Sequence, residues 1–315
     1  MVESPEREVV GLPEGGMTSS QALRHAAGKL REAGVENAAG ESERLLCMLL
    51  NAPRVSLFLD RNRQLDDESR VRLDALLDRR IGGEPLQHIE GTVEFREIVI
   101  RSDRRALIPR PETEQLVGLI ARWAADRTLS GGPKRSGGPR GWPLSRILDI
   151  GTGSGAIALS LLSEGISDRA VGIDTSRDAL ALARENRRRI RLVDRLALLP
   201  CHPDPYRSLA SRPVFDAIVS NPPYIESGEI ERLATEVRVH DPREALDGGP
   251  DGLAVIRRII NGARERLVAG GGLFLEIGAG QGEAVAALVG RAGPWRVISV
   301  RRDLAGRDRF VMAEC

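Results

Sequence analysis

The chain has few aromatic residues, 3% of its 315 positions. Its core therefore has to come from Leu, Ile, Val and Ala. Cysteine is scarce as well. Cys47, Cys201 and Cys315 are scattered, odd in number and form no CxxC pair. That argues against a disulfide framework and against a thiolate metal site, and it suits a reducing, cytoplasmic compartment. Four dispersed histidines (His25, His88, His202 and His240) read as surface or satisfied polar residues, so no metal is expected. No apolar run approaches the roughly 20 residues that cross a bilayer, so no membrane association is expected. An excess of one charge is missing too. Lys and Arg number 46 against 45 Asp and Glu, a net charge of +1. Long-range attraction to nucleic acid phosphate needs a basic surplus. Only a local patch of the abundant arginines stays open.

With 41% hydrophobic and 29% charged residues, the chain reads as a globular protein of one large domain and a smaller one. Residues 1–17 are acidic, punctuated by Pro and Gly, and lack the apolar segment of a secretory signal; a disordered tail is expected. Residues 18–84 show three short amphipathic helices. The first has caps at Thr18-Ser19-Ser20 and apolar positions Ala22, Leu23, Ala26, Ala27 and Leu30. The second carries Leu45, Leu46, Leu49 and Leu50, and the third opens on Asp66-Asp67-Glu68 before a stripe of Val71, Leu73, Leu76 and Leu77. Such a bundle supports packing or docks a macromolecular partner. Residues 85–106 read as a turn-rich connection with a hairpin. A large domain follows at 107–315, interrupted by a Gly/Pro-rich basic tract at 128–146 expected to be a flexible surface insertion.

From Ile147 onward strand-like runs alternate with helical ones, which predicts a mostly parallel, doubly wound α/β sheet. Strands are expected at Arg146–Ile150, Ala170–Asp174, Leu196–Leu199, Phe215–Ser220, Gly272–Ile277, Trp295–Val300 and Phe310–Ala313. Helices are expected at Ala156–Ser163, Asp178–Arg189, Leu253–Leu267 and Gly282–Arg291.

Two stretches carry the chemistry. Gly151-Thr152-Gly153-Ser154-Gly155 follows a strand and opens a helix. Its glycines allow a tight turn and close approach of a ligand to the backbone. Asp174 ends the next strand about 20 residues on, where an acid can hold a ribose diol. Nicotinamide and S-adenosylmethionine cofactors both carry that diol, and the bland alternative for Asp174 is a helix cap. The second stretch is Asn221-Pro222-Pro223-Tyr224, directly after an apolar strand. Its prolines cannot donate to a sheet ladder and hold a stiff, extended loop at the carboxyl end of that strand. It offers a carboxamide, backbone carbonyls without competing N–H groups, and an aromatic face. That set suits a planar NH2 group and favours a methyltransferase over a dehydrogenase.

Those two loops, with Leu107-Ile108-Pro109-Arg110-Pro111-Glu112-Thr113-Glu114, resemble the protein-glutamine N5-methyltransferases, most nearly the release factor glutamine methyltransferase (PrmC/HemK) family. Asp241-Pro242-Arg243-Glu244-Ala245-Leu246-Asp247-Gly248-Gly249, Asp251-Gly252-Leu253 and Leu275-Glu276-Ile277-Gly278 with Gln281 extend the resemblance. It implies a class I (Rossmann-like) methyltransferase: a seven-stranded, mostly parallel sheet behind a small N-terminal helical domain. It implies S-adenosyl-L-methionine as cofactor, bound by Gly151, Thr152, Gly153, Ser154, Gly155, Asp174, Asp204, Pro205 and Asn221. Asp204 and Pro205 stand in for an acid and an adenine neighbour that the family carries after the Leu196–Leu199 strand, displaced here by extra residues. The implied substrate is the glutamine of the Gly-Gly-Gln motif of class 1 peptide chain release factors. Asn221, Pro222, Pro223 and Tyr224 grip its amide, with Asn221 and Pro222 catalytic. A monomer is expected, with no direct need for nucleic acid. A ribosomal-protein glutamine, a DNA or RNA adenine, a nicotinamide oxidoreductase and a non-catalytic docking module are the rival readings.

Overall fold

The computed structural model describes residues 16–129, 142–207, 209 and 214–315. The expected tail therefore lies outside the described residues up to 15, and the basic tract does so over 130–141. Two compact units divide the chain, one ending at Glu90 and the other beginning at Gly91.

The first unit is helical. Its helices are α1 (Ser19–Glu32), α2 (Ala38–Leu50), α3 (Arg54–Leu59), α4 (Asp67–Ile81) and α5 (Leu86–Glu90). Thr18 and Gln21 form a reciprocal capping box at α1, and Asp66 caps α4 by accepting from the Ser69 N–H at 2.8 Å. Ala22, Ala26, Leu30, Leu45, Leu46, Leu73 and Leu77 are buried together, the spacing of one helical face. Val71 departs from the expected stripe and is 70% exposed. α3 and α5 were not expected. One or two turns give periodicity too little length to show, and such helices form only where packing holds them. Two short strands, β1 (Met17–Thr18) and β2 (Gln64–Leu65), pair antiparallel.

The second unit opens with an antiparallel hairpin, β3 (Thr92–Phe95) and β4 (Ile98–Arg101). Phe95, Ile98 and Ile100 are buried in one cluster with Leu116, Leu159 and Leu162, so the hairpin belongs to this unit's core and is more than a connection. Then come α6 (Pro111–Leu129), β5 (Leu144–Ile150), α7 (Ala156–Ser163), β6 (Ser167–Asp174), α8 (Arg177–Arg189), β7 (Leu196–Pro200) and β8 (Phe215–Ser220). After a short helix, α9 (Thr235–His240), follow α10 (Ala254–Arg266), β9 (Leu267–Glu276), α11 (Gly282–Arg291), β10 (Val297–Arg302) and β11 (Asp308–Glu314). α6 runs on to Leu129 and β5 starts at Leu144, so regular structure reaches into both ends of the expected insertion. α10 is broken at Asn261 and Gly262. β9 begins already at Leu267 rather than Gly272.

The seven-stranded sheet has the order β10-β11-β9-β8-β5-β6-β7. β5 pairs parallel with β6 and β8, β6 with β7, and β8 with β9, while β11 runs antiparallel to β9 and β10. Alternate residues face opposite layers. Ile147, Ala217, Val219, Phe274 and Phe310 pack against α6, α7 and α8. Leu148, Ile218, Leu273, Leu275 and Val311 pack with Ile256, Ile260, Val285 and Val289 of α10 and α11. Chain order reverses at β5, so the carboxyl ends of β5 and β8 flank the crevice where open α/β sheets bind ligands.

Candidate active site

Both loops singled out from the sequence sit at that switch point. Ser220 Oγ, at the end of β8, donates to the Ile150 carbonyl at the end of β5 over 2.7 Å, tying the two strand ends together. A cavity of about 370 Å³ lies over them, ordinary for a small-molecule site. Its lining includes Gly151, Thr152, Gly153, Ser154, Asp174, Pro205, Asn221, Pro222 and Pro223. Gly151 and Gly153 have φ of +69° and +56°, a backbone that side chains disfavour, and a Cβ added at Gly151 would meet nothing within 4 Å. The loop thus presents bare backbone to open space, a cradle for a ligand. Gly155 lies behind it. Its added Cβ would press on Leu159 at 3.1 Å, so it serves packing of α7 rather than the cavity wall.

Asp174 is pinned by backbone donors. Its Oδ2 accepts from the Gly153 N–H at 2.8 Å and its Oδ1 from the Ser176 N–H at 2.9 Å. Burial pushes its carboxyl above the usual range, and these donors pull it back. The helix cap is Ser176, which accepts from the Ala179 N–H at 3.2 Å, so Asp174 is free of that role. Asp149 is fully buried beneath the loop and accepts from the Thr152 hydroxyl at 2.7 Å, while its Oδ1 has no partner among the described residues. Burial drives its carboxyl to about 7. Asn186 of α8 was missed by sequence reasoning. Its Nδ2 donates to the Ser154 carbonyl at 3.0 Å and to Arg101 at 3.1 Å, bracing the glycine loop from behind. A fully buried Asn on a helix of arginines leaves no pattern in sequence.

The wall after β7 differs from expectation. Cys201, His202, Pro203 and Pro205 line the cavity, but Asp204 does not. Asp204 is exposed, and its carboxylate accepts from the Tyr206 N–H at 3.0 Å, holding a turn. Pro203 and Pro205 face the cavity on either side of the outward-turned acid. Tyr206 is buried, with its hydroxyl donating to the Ile259 carbonyl at 2.6 Å.

Asn221 joins the first cavity to a second of about 250 Å³, whose lining includes Asn221, Pro222, Tyr224, Ile225, Arg110, Glu112 and Arg309. Tyr224 lines this second cavity and not the first. Its phenol faces Arg309 Nη1 at 3.4 Å and its carbonyl accepts from Gln281 Nε2 at 3.0 Å. Gln281 Oε1 takes the Gly278 N–H at 2.9 Å, so one side chain braces two loops. Arg110 clamps the opposite wall through Asp241, Nη2 to Oδ2 at 2.7 Å. The Asn221 Nδ2 donates to Thr113 Oγ1 at 3.0 Å, and that hydroxyl donates to Glu276 Oε2 at 2.8 Å. With Nδ2 committed, the Oδ1 end of the carboxamide is left to meet a ligand.

Seven strands in this order, a glycine cradle after β5, an acid ending β6 and Asn-Pro-Pro-Tyr after β8 define a class I methyltransferase. The PrmC N-terminal domain family matches residues 21–91, and the Methyltransferase small domain family matches residues 142–252. Release factor glutamine methyltransferases of Caulobacter vibrioides, Bradyrhizobium diazoefficiens and Cereibacter sphaeroides are 38%, 39% and 40% identical to the chain. The alignments cover 94%, 96% and 94% of this chain and 96%, 96% and 98% of those proteins. The chain belongs to the release factor glutamine methyltransferase family. Among solved structures, the hMettl16 catalytic domain in complex with MAT2A 3'UTR hairpin 6 superposes with a TM-score of 0.51 at 15% identity, over 80% of this chain and 84% of that one. That likeness is one of fold. No helix among the described residues is long and apolar enough to cross a membrane.

Proposed function

We propose that this chain transfers a methyl group from S-adenosylmethionine to the side-chain amide nitrogen of a release factor glutamine, the one in the Gly-Gly-Gln motif of class 1 factors. The observation that carries the reading is Asn221: a carboxamide held by its nitrogen, with its oxygen left at the junction of two cavities.

The donor set of the larger cavity fits the cofactor. Gly151, Thr152, Gly153 and Ser154 would cradle it by backbone, Asp174 would accept from its ribose hydroxyls, and Cys201, Pro203 and Pro205 would offer an apolar wall for adenine. S-adenosylmethionine supplies a methyl group already activated on a positively charged sulfur. The remaining work belongs to the protein. An amide nitrogen is a weak nucleophile because its lone pair is shared with the carbonyl. Asn221 Oδ1 and the Pro222 carbonyl take its two N–H groups, which fixes the plane of the amide and stabilises positive charge growing on the nitrogen. Tyr224 and Ile225 line the smaller cavity, through which the glutamine side chain enters. Asn221 is uncharged, so it polarises the NH2 without holding a cation; once methylated, the nitrogen would release its extra proton to solvent, with S-adenosylhomocysteine as the neutral leaving product.

The family membership supports a protein substrate, and the net charge of +1 fits one that needs no nucleic acid. A monomer in the cytoplasm completes the proposal. Incubation with labelled S-adenosylmethionine and each candidate substrate, followed by mapping of the label, tests it. Label is expected on the Gly-Gly-Gln glutamine. Label on a ribosomal protein, on a nucleic acid adenine, or on no glutamine overturns it. Asn221→Ala removes one of two acceptors and should lower turnover by roughly 10²–10³, the cost of removing one oxyanion-hole donor, with the fold intact.

A further inference from the structure

We infer that Thr113 and Glu276 are positioning residues: a two-step hydrogen-bond relay that sets which end of the Asn221 carboxamide faces the substrate. The inference rests on the function proposed above. Thr113 lines the larger cavity and Glu276 stands behind it, and neither is near Asn221 in sequence.

A carboxamide has a donor end and an acceptor end of nearly the same shape. Nothing in its own geometry decides which end meets a ligand. For a substrate NH2 only the oxygen is productive, because a turned amide would set donor against donor. The choice is made behind Asn221. Thr113, on the first turn of α6, is 3% exposed, and Glu276, ending β9, is 1% exposed. An ionised carboxylate accepts only. The one hydroxyl proton of Thr113 therefore goes to Glu276 Oε2 at 2.8 Å. Having spent its proton, Thr113 Oγ1 can only accept from Asn221, which must present Nδ2, at 3.0 Å. The ionised acid thus dictates the orientation of an amide two bonds away in the network. An acid at the buried end of β9 is costly without such a partner.

Protonation of Glu276 would remove the dictate, since a carboxylic acid can donate to Thr113 as well as accept. Glu276 is faced by Arg309 of β11, by Arg110 and Glu112 at the start of α6, and by the Tyr224 phenol. Burial outweighs the two arginines and pushes its carboxyl up to about 7. The relay therefore loosens as pH falls through that value.

The test measures kcat at saturating S-adenosylmethionine and release factor for Thr113→Val, Thr113→Ser and Glu276→Gln, each checked for melting temperature and for cofactor affinity. Thr113→Val should lose about 10- to 100-fold in kcat, the order a misplaced reacting group costs; because Thr113 lines the larger cavity, kcat is read at saturating S-adenosylmethionine so that a change in cofactor affinity is separated from it. Thr113→Ser, which keeps the hydroxyl, should recover most of that loss. Wild-type kcat should fall as pH drops from 8 to 6. Glu276→Gln, which can both donate and accept, should be slower at pH 8 and flat across that range. A Thr113→Val enzyme with wild-type kcat, or a Glu276→Gln enzyme that keeps the wild-type acid limb, overturns the relay. Should Thr113→Val not fold, the serine and glutamine variants still decide it. Failure of the wild-type enzyme to label the glutamine is a different result, which sinks the functional reading itself.

Discussion

Replacing Gly252 with alanine should disable the enzyme without touching the larger cavity. Gly252 has φ of +68°, and an added Cβ would stand 2.4 Å from the Tyr224 carbonyl oxygen and 2.7 Å from Gln281 Nε2. Neither neighbour can yield cheaply. The first is backbone of the Asn-Pro-Pro-Tyr loop, and the second is the side chain that braces it at 3.0 Å. A non-glycine residue in this left-handed region costs about 1–2 kcal/mol. Loss of the Gln281 bond to the Tyr224 carbonyl adds about 0.5–1.5 kcal/mol. Gly252→Ala should therefore be roughly 1.5–3.5 kcal/mol less stable, which at about 2–4 °C per kcal/mol for a unit of this size lowers the melting temperature by about 3–14 °C. A shift of the loop by even about 1 Å would misplace the two acceptors proposed for the substrate amide and should cost on the order of 10²-fold in kcat. Gly252 does not line the larger cavity, so cofactor affinity should stay within a few-fold. Gly228, in the same loop region, is the control: a Cβ there meets nothing within 4 Å, and Gly228→Ala should be near neutral. Scanning calorimetry, titration with S-adenosylmethionine and steady-state methylation read all three quantities. Wild-type turnover and stability in Gly252→Ala would refute the reasoning that this glycine keeps the Tyr224 carbonyl in place.

Asp174→Ala removes a carboxylate from the wall of the larger cavity, where we propose that the cofactor binds. At about 1.5–3 kcal/mol for a hydrogen bond to a charged group, the cofactor dissociation constant should rise by at least roughly tenfold, measured by isothermal titration. An unchanged constant would remove Asp174 from the ribose site. Asp149 gives a pH signature. Its folded-state value of about 7 lies above the ordinary carboxyl value of about 3.9. The favourable contribution of the protonated acid is fully present below that ordinary value and is lost as pH rises toward 7. Asp149→Asn should therefore gain melting temperature relative to the wild type as pH goes from 5 to 8, and a pH-independent difference would show that the acid is not protonated in the fold.

Much of this site is legible in the sequence. Pro222 and Pro223 stop β8 abruptly, and their restricted backbone is a local property that sequence states outright. Gly151-Thr152-Gly153 after an apolar strand, with Asp174 about a helix and a strand later, is a spacing, and spacing along one βαβ unit survives folding. The strands Phe215–Ser220 and the helices Ala156–Ser163 and Gly282–Arg291 were placed with their observed bounds for the same reason. The wall after β7 was not legible. Whether Asp204 or its neighbours face the ligand depends on how an irregular segment coils, and no period governs that. α3 and α5 were too short to announce themselves, and the Thr92–Arg101 hairpin read as a connection until its buried face was seen.

Alternation, caps and proline stops determined from sequence alone that there would be a wound sheet, a glycine cradle and a rigid amide-bearing loop. Each is a matter of neighbours a few bonds apart. Which side chains stand behind that loop was decided only by the sheet order. Setting β9 beside β8 brings Gln281 to Tyr224 across 57 residues, and packing α6 on that sheet brings Thr113 to Glu276 across 163. Hydrogen bonds between such distant positions depend on three-dimensional proximity, which no local pattern encodes.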